Sequence, residues 1–196
     1  MPDKSTDAQL LERASGGDED AFLFLYRGHR DTVFRFAYRL LGSIDTAEDI
    51  TQDCFLSVLK HPERFDETRA SLRTYLCAAA RNLAMKHFRH AGREIGVEEI
   101  SEEIARAHAP EQPLRKLLNE ELALKVRQAV EELPTLQREA LVLFEYEDFS
   151  LAEIAAITGA DTGTIKSRLH RARQRLRQTL APYFKTHEAA AALEKH

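Results

Sequence analysis

The side chains best suited to contact nucleic acid are concentrated in residues 161–180, DTGTIKSRLHRARQRLRQTL. Asp161 is the only acidic residue of this segment, and six Lys or Arg residues follow it. Such donors can bond phosphates and base edges in a DNA groove. Apolar residues recur at intervals of three and four, the spacing of one helical face: Ile165, Leu169, Ala172, Leu176 and Leu180. Taken alone, the pattern is equally typical of a solvated basic helix.

The segment just before it, SLAEIAAITG, predicts a short helix and a tight turn. Ser150 and Glu153 have the spacing of a capping box, in which each residue satisfies a free backbone N–H of the other. Gly159 can adopt a left-handed conformation without steric cost, and Asp161 or Thr162 can cap the next helix. A short helix, a glycine turn and a basic second helix form a helix-turn-helix, whose second helix enters the major groove. The combination favours DNA binding.

Charge is segregated along the chain. Its 196 residues suffice for one or two compact domains, and the formal net charge of −4 is unusual for a protein that binds nucleic acid. Residues 162–187 contain seven Lys or Arg and no carboxylate, however, whereas residues 42–59 contain four acidic residues and no basic one. This asymmetry indicates one surface for nucleic acid and another for a protein partner.

Other features argue against secretion, membrane insertion and catalysis. The N-terminus lacks the apolar core of a signal peptide, and Cys54 and Cys77 lie among apolar residues, as buried thiols do in a reducing cytosol. We therefore expect a cytoplasmic protein. His87 and His90 are three residues apart, but no further ligands complete a metal site. Without a Gly-rich phosphate loop or a nucleophilic constellation, no cofactor, metal or enzymatic activity is expected.

Sparse Gly and Pro and helical spacing of apolar residues predict an all-α fold with two helical domains joined by an acidic linker. The first domain, residues 1–92, is predicted to contain four helices. Residues suited to begin them are Asp7, Asp18, Asp45 and Ser71.

Residues 93–112 contain six Glu and are interpreted as the acidic linker. The second domain, residues 113–184, contains the helix-turn-helix, and Pro113 and Pro134 suit the first turns of its earlier helices. Residues 185–196 are interpreted as a helical tail.

Two longer segments resemble the extracytoplasmic-function (ECF) group of bacterial sigma factors. The segment LPTLQREALVLFEYEDFSLAEIAAITGADTGTIKSRLHRARQRLRQTL is similar to sigma domain four, and AEDITQDCFLSVLKHPERF with LRTYLCAAARNLAMKHFR is similar to sigma domain two. The resemblance covers about residues 7–182, in the expected order and with no domain three between the two. It implies an alternative sigma factor that binds core RNA polymerase and directs promoter-specific transcription initiation.

The acidic segment contains the residues that this resemblance assigns to polymerase binding. Ile50, Cys54 and Val58 can face the core of a helix, which leaves its acidic side more exposed. By itself this is also typical of a solvated helix with acids in its first turn. The resemblance implies that it contacts the clamp helices of the largest polymerase subunit, where carboxylates would pair with basic residues. The matching residues are Asp49, Gln52, Asp53 and Phe55.

Aromatic and basic residues are interleaved between Phe65 and Arg89, a pattern that suits binding of single-stranded DNA. The same pattern is also typical of aromatic residues in a core beside basic residues on the surface. The resemblance implies recognition and melting of the minus-ten promoter element. Tyr75 stands where the family usually has Trp, and Lys86 stands where relatives often have an acid or amide. The candidate residues are Phe65, Arg73, Tyr75, Asn82 and Lys86.

In the basic helix, the resemblance implies recognition of the minus-thirty-five element. Candidates for base contacts are Lys166, Ser167, His170 and Arg171, and candidates for phosphates or acidic neighbours are Arg168, Arg173 and Arg175. The resemblance also implies that domain four binds the polymerase beta flap, that the linker threads towards the active-site cleft, and that an anti-sigma factor, often membrane-bound, masks both domains.

Two other classes of protein remain open on the residues alone. One is a stand-alone helix-turn-helix regulator whose N-terminal half is an interaction module. The other is a protein-interaction module that sequesters a regulator. The stand-alone regulator would bind DNA without polymerase and would need no acidic clamp-binding surface.

Overall fold

All regular secondary structure in the described part of the chain is helical, as predicted. The computed structural model describes the backbone of residues 6–90, 92 and 114–193, and the side chains of 6–90, 92 and 122–183. The N-terminal domain contains α1 (Asp7–Ser15), α2 (Glu19–Leu41), α3 (Ile44–Lys60), a 3-10 turn (Pro62–Arg64) and α4 (Leu72–His90). The C-terminal domain contains α5 (Leu114–Glu131), α6 (Thr135–Leu141), a π-helical turn (Val142–Tyr146), α7 (Leu151–Thr158) and α8 (Thr162–Leu193).

Capping residues begin the N-terminal helices close to the predicted positions. Asp18 caps α2 by accepting a hydrogen bond from the Ala21 N–H (3.0 Å), as predicted. The expectations for α1 and α3 were wrong by one and two residues, because Thr6 and Ser43 supply the capping oxygens. Asp7 and Asp45 lie in the first turns instead, where the helix dipole interacts favourably with a negative charge.

The core of the N-terminal domain lies between α2, α3 and α4, with α1 packed beside them. Val33, Phe36 and Leu40 recur on one face of α2 and are fully buried. The thiols of Cys54 and Cys77 are also buried, and burial raises the pKa of each to about 12. Both cysteines therefore behave as packing residues, as predicted.

A π-helical turn interrupts the C-terminal domain between α6 and α7. The Glu147 N–H bonds the Val142 carbonyl (3.1 Å), a five-residue spacing in place of the usual four. Asp148 follows with φ of 52°, in the left-handed region that non-glycine residues rarely adopt. The extra residue and the sharp reversal direct Glu147 and Phe149 into the protein, where both are buried.

The helix-turn-helix forms as predicted. Ser150 and Glu153 make the reciprocal capping box at the start of α7, and Gly159 ends it with φ of 71°. Asp161 Oδ1 then accepts a hydrogen bond from the Thr164 N–H (2.8 Å) at the start of α8. The predicted apolar face of α8 is turned inward, with Ile165 fully buried.

The backbone of α8 continues to Leu193, beyond the domain boundary expected at residue 184. The predicted acidic linker, residues 93–112, and Pro113 lie outside the described residues. Pro134 is the N-cap of α6, one residue before the first turn in which it was expected.

The two domains pack against each other. Helix α4 contacts α7, and α2 contacts α6 and the π-helical turn. A cluster of buried apolar residues includes members of both domains, such as Leu40 and Leu143. Among the described helices, none is both long and apolar enough to cross a lipid bilayer.

Candidate nucleic-acid and polymerase interfaces

The first turns of α8 expose the residues predicted to read duplex DNA. Lys166, Ser167, His170 and Arg171 are all exposed, on the side of the helix away from the buried Ile165 and Leu169. We call these four residues the reading face. Their spacing of one, three and one brings them to one side of two successive turns. The face offers two cations, a hydroxyl and an imidazole, which can bond phosphates and base edges.

Two arginines on the same helix bind acidic neighbours. The Arg168 side chain is largely buried, and its Nη1 lies 3.9 Å from Glu139 Oε2. Arg173 donates to Glu145 Oε1 through Nε (3.0 Å) and Nη2 (2.5 Å). These arginines were expected to bind either phosphates or acidic neighbours, and this conformation supports the second of these. Arg175 is partly buried further along α8.

On the N-terminal domain, four of the five predicted minus-ten residues share one surface. The Phe65 and Tyr75 rings meet edge to face at 5.6 Å between centroids. Asn82 and Lys86 follow Tyr75 by seven and eleven residues along α4, and both are exposed. Such spacing keeps them on one side of a helix. We call Phe65, Tyr75, Asn82 and Lys86 the aromatic–basic surface.

The structure does not bring the fifth, Arg73, to this surface. Two residues rotate a side chain about 200° around a helix, so Arg73 points away from Tyr75. Its guanidinium donates to the backbone carbonyl of Glu147 and lies 4.0 Å from the Phe149 ring centroid. In this conformation Arg73 is therefore an interdomain contact, contrary to the expected place on a DNA surface.

Helix α3 exposes Asp49, Gln52 and Asp53, as the sequence indicates. The prediction that Phe55 lies on this surface was wrong. Its side chain is buried, and its ring centroid lies 4.9 Å from that of Tyr26. Sequence reasoning missed Leu56, which is exposed beside the acids, although its position three residues after Asp53 could have signalled it. We call Asp49, Gln52, Asp53 and Leu56 the acidic face.

No pattern in the sequence predicted that two glutamates would be fully buried. Glu139 Oε1 accepts a hydrogen bond from Arg81 Nε (2.5 Å), and Glu147 accepts from Arg35 and Arg39. Burial raises the pKa of the Glu139 carboxyl, an effect that the adjacent Arg81 opposes. The hydrogen bond to Glu147 raises the pKa of Arg35. Buried carboxylates need such partners because their desolvation is costly.

Comparisons with known proteins agree with this arrangement. Residues 25–94 match the family model Sigma-70 region 2, and residues 123–176 match Sigma-70, region 4. The chain is 32% identical over 181 residues to the ECF RNA polymerase sigma factor SigW of Bacillus subtilis, with 87% of this chain and 94% of that protein covered.

Two solved structures are similar to this chain in fold. The sigma factor RpoE in complex with the anti-sigma factor NepR from Bartonella quintana has a TM-score of 0.58 and 31% identity, with 78% of this chain and 91% of that chain covered. The structure of CnrH with the cytosolic domain of CnrY has a TM-score of 0.64, with 91% of this chain and 99% of that chain covered. Its 24% identity limits that likeness to the fold.

Proposed function

The chain belongs to the ECF group of bacterial sigma factors, and on this premise we propose that it directs core RNA polymerase to a restricted set of promoters. The match to SigW carries the proposal, because it extends through both domains and covers 94% of that protein. A stand-alone regulator would share a helix-turn-helix with this chain but not the N-terminal half. RNA synthesis itself would be catalysed by the polymerase.

The acidic face of α3 supplies the polymerase contact in this proposal. Its carboxylates and amide are exposed, and Leu56 adds an apolar group beside them. Opposite charges across an interface steer association and set orientation. The clamp helices of the largest polymerase subunit would supply the basic partner.

The aromatic–basic surface is the proposed site for the opened minus-ten strand. Tyr75 presents an aromatic ring, Asn82 can donate to and accept from a base edge, and Lys86 can pair with a phosphate. An unstacked base of any identity can stack on an aromatic side chain. The hydrogen bonds of the Asn82 amide would then distinguish one base from another.

The reading face of α8 is the proposed contact with the minus-thirty-five duplex. Arg171 can bond guanine in bidentate fashion, and Lys166 can bond phosphate or a base edge. The C-terminal domain would also bind the polymerase beta flap. The sigma factor RpoE from Bartonella quintana was solved in complex with the anti-sigma factor NepR, and we propose that such a partner controls this chain.

Run-off transcription tests the proposal. Purified chain with core polymerase should give a transcript that starts at a cognate promoter and is absent with core polymerase alone. Reversing charge in the acidic face with Asp49→Lys and Asp53→Lys should abolish polymerase binding and the transcript, because basic partners would then be repelled. DNA binding through α8 should persist.

A matched control carries the same charge change elsewhere, at the exposed residues Glu12 and Glu132. This control should transcribe like the original chain. A folded chain that footprints promoters without polymerase and ignores the acidic-face substitutions would be a stand-alone regulator.

A further inference from the structure

The N-terminal half of α2 exposes two adjacent apolar side chains. Leu23 is 40% exposed and Phe24 is 50% exposed. Together with Asp20, Arg27 and Gly28 they line an open depression in the surface. Single exposed apolar residues are ordinary on a protein, whereas contiguous apolar surface with a polar rim is typical of a site of interaction. We call these five residues the α2 patch.

Gly28 lies inside α2 without a structural need for glycine among the described residues. A Cβ added at this position would meet none of their atoms within 4 Å. A glycine within a helix destabilises it relative to alanine, because the unfolded backbone has more conformational freedom to lose. Its advantage is that a second backbone can approach it closely. Gly28 therefore leaves room for a neighbour that the described part of the chain does not supply.

Opposite charges flank the apolar pair at equal distances. Asp20 lies about one turn before it and Arg27 about one turn after it, and both side chains are exposed. At a rise of about 1.5 Å per residue the two positions are about 10 Å apart along α2, too far to pair within one chain. Neither side chain forms an ion pair with another of the described residues. The two charges are therefore available to a partner.

The α2 patch is complementary to itself. A two-fold axis through the midpoint between Leu23 and Phe24 crosses two α2 helices in antiparallel orientation. Leu23 of each copy then lies on Phe24 of the other, and Asp20 of each copy lies opposite Arg27 of the other. Such an interface is isologous, with one surface used by both copies. A parallel pair would instead set Asp20 against Asp20 and Arg27 against Arg27, and like charges would repel.

We propose that the α2 patch is a self-association surface, which joins two copies of this chain through antiparallel α2 helices. The apolar pair supplies the attraction, and the two ion pairs between Asp20 and Arg27 set the orientation. A contact of two to three helical turns buries less than the roughly 1,200 Å² of a stable complex, so the dimer forms reversibly at high concentration. The α2 patch shares no residue with the acidic face, the aromatic–basic surface or the reading face. The inference is therefore independent of the proposed sigma function.

Sedimentation velocity of the full chain measures the association, in a series that extends to about 1 mM so that a weak dimer is populated. The sedimentation coefficient should rise with concentration towards that of a dimer. Phe24→Ser should weaken the association at least about tenfold, because it removes the centre of the contact. Leu124→Ser is the matched control, since Leu124 on α5 is also 50% exposed, and it should leave the association unchanged. A chain that stays monomeric throughout, or equal weakening by both variants, would overturn the proposal.

Charge reversal tests the antiparallel geometry. Asp20→Arg gives a patch with two cations, and Arg27→Asp gives a patch with two carboxylates. Each variant alone should lose self-association, because like charges then meet across the two-fold axis. In an equimolar mixture of the two variants both cross-pairs become attractive, and a heterodimer should form as readily as the original dimer. Because misfolded chains would not recover on mixing, a mixture that stays monomeric would contradict the antiparallel pairing.

Gly28→Ala separates packing between copies from stability within one copy. It should raise the melting temperature of the chain, because alanine favours the helix, and it should weaken the dimer, because a methyl group holds the two helices apart. A stabilised chain that associates as well as the original would contradict the close approach at Gly28. If the original chain never dimerises and Phe24→Ser abolishes run-off transcription, the α2 patch is a polymerase contact and the self-association is wrong.

Discussion

Helices α4 and α8 both carry arginines beside apolar residues, and on each helix acidic neighbours pair with some of these cations while other cations stay exposed. On α8, Lys166 and Arg171 project into solvent and leave a face free for DNA. On α4, Arg73 and Arg81 are turned against the C-terminal domain, where they bind Glu147 and Glu139. A basic helix therefore indicates nucleic-acid binding only for those cations that the rest of the fold leaves unneutralised.

The largest effect is expected where a buried partner is lost. Arg81→Ala leaves Glu139 with only the more distant Arg168 and should lower the free energy of unfolding by about 3 kcal/mol. Thermal or urea unfolding measures it. Arg89→Ala removes an exposed arginine from the same helix and should cost little. Equal losses for both variants would mean that the cations of α4 are not distinguished by burial.

The reverse pattern is expected on α8. Arg171→Ala should weaken binding to a minus-thirty-five duplex by about 1–3 kcal/mol while stability stays the same, because the side chain is exposed. Fluorescence anisotropy with labelled duplex measures the affinity. Arg177→Ala, an exposed arginine outside the reading face, serves as the control. If Arg177→Ala lost as much affinity, the helix would bind by charge alone.

A smaller effect is expected at the aromatic–basic surface of α4. In the polymerase-bound chain, Tyr75→Ala should weaken binding of a single-stranded minus-ten oligonucleotide by about 1 kcal/mol, since the ring is partly covered by Phe65. Tyr75→Trp should restore or increase the affinity. Tyr38 stacks on Phe34 in α2, so Tyr38→Ala controls for a lost ring pair. Equal weakening by both alanines would point to a packing effect.

The smallest effect is a pH dependence of opposite sign at two glutamates. Burial raises the pKa of Glu139 above its usual 4.5, so the folded state holds this proton more tightly than the unfolded state. Its contribution to stability is full below pH 4.5 and is lost as pH rises through the folded pKa. Relative to Glu139→Gln, the original chain should become less stable over that rise.

Glu153 supplies the contrasting case. Hydrogen bonds from Ser150 lower the pKa of its carboxyl, so its contribution is present above pH 4.5 and is lost as pH falls through the folded pKa. Relative to Glu153→Gln, the original chain should lose stability as pH falls. Unfolding curves at several pH values check both signs, and the same sign at both residues would contradict the burial argument.

Local patterns predicted the parts of the fold that depend on neighbouring residues. The capping box of Ser150 and Glu153, the glycine turn at Gly159 and the inward face containing Ile165 all formed as expected. Each depends on spacing within one or two turns of helix, which the sequence contains in full. The prediction for Phe55 was wrong because the resemblance assigned it a surface role, whereas its ring packs against Tyr26.

The sequence by itself determined an all-helical chain with a helix-turn-helix, a basic reading face on α8 and exposed acidic residues on α3. Only the tertiary structure decided which charges are available. Glu147 and Arg73 are 74 residues apart, and nothing in the local pattern of either brings them together. Their pairing depends on how α4 and the π-helical turn pack, and a charge's partner in space determines whether it can still bind DNA or polymerase.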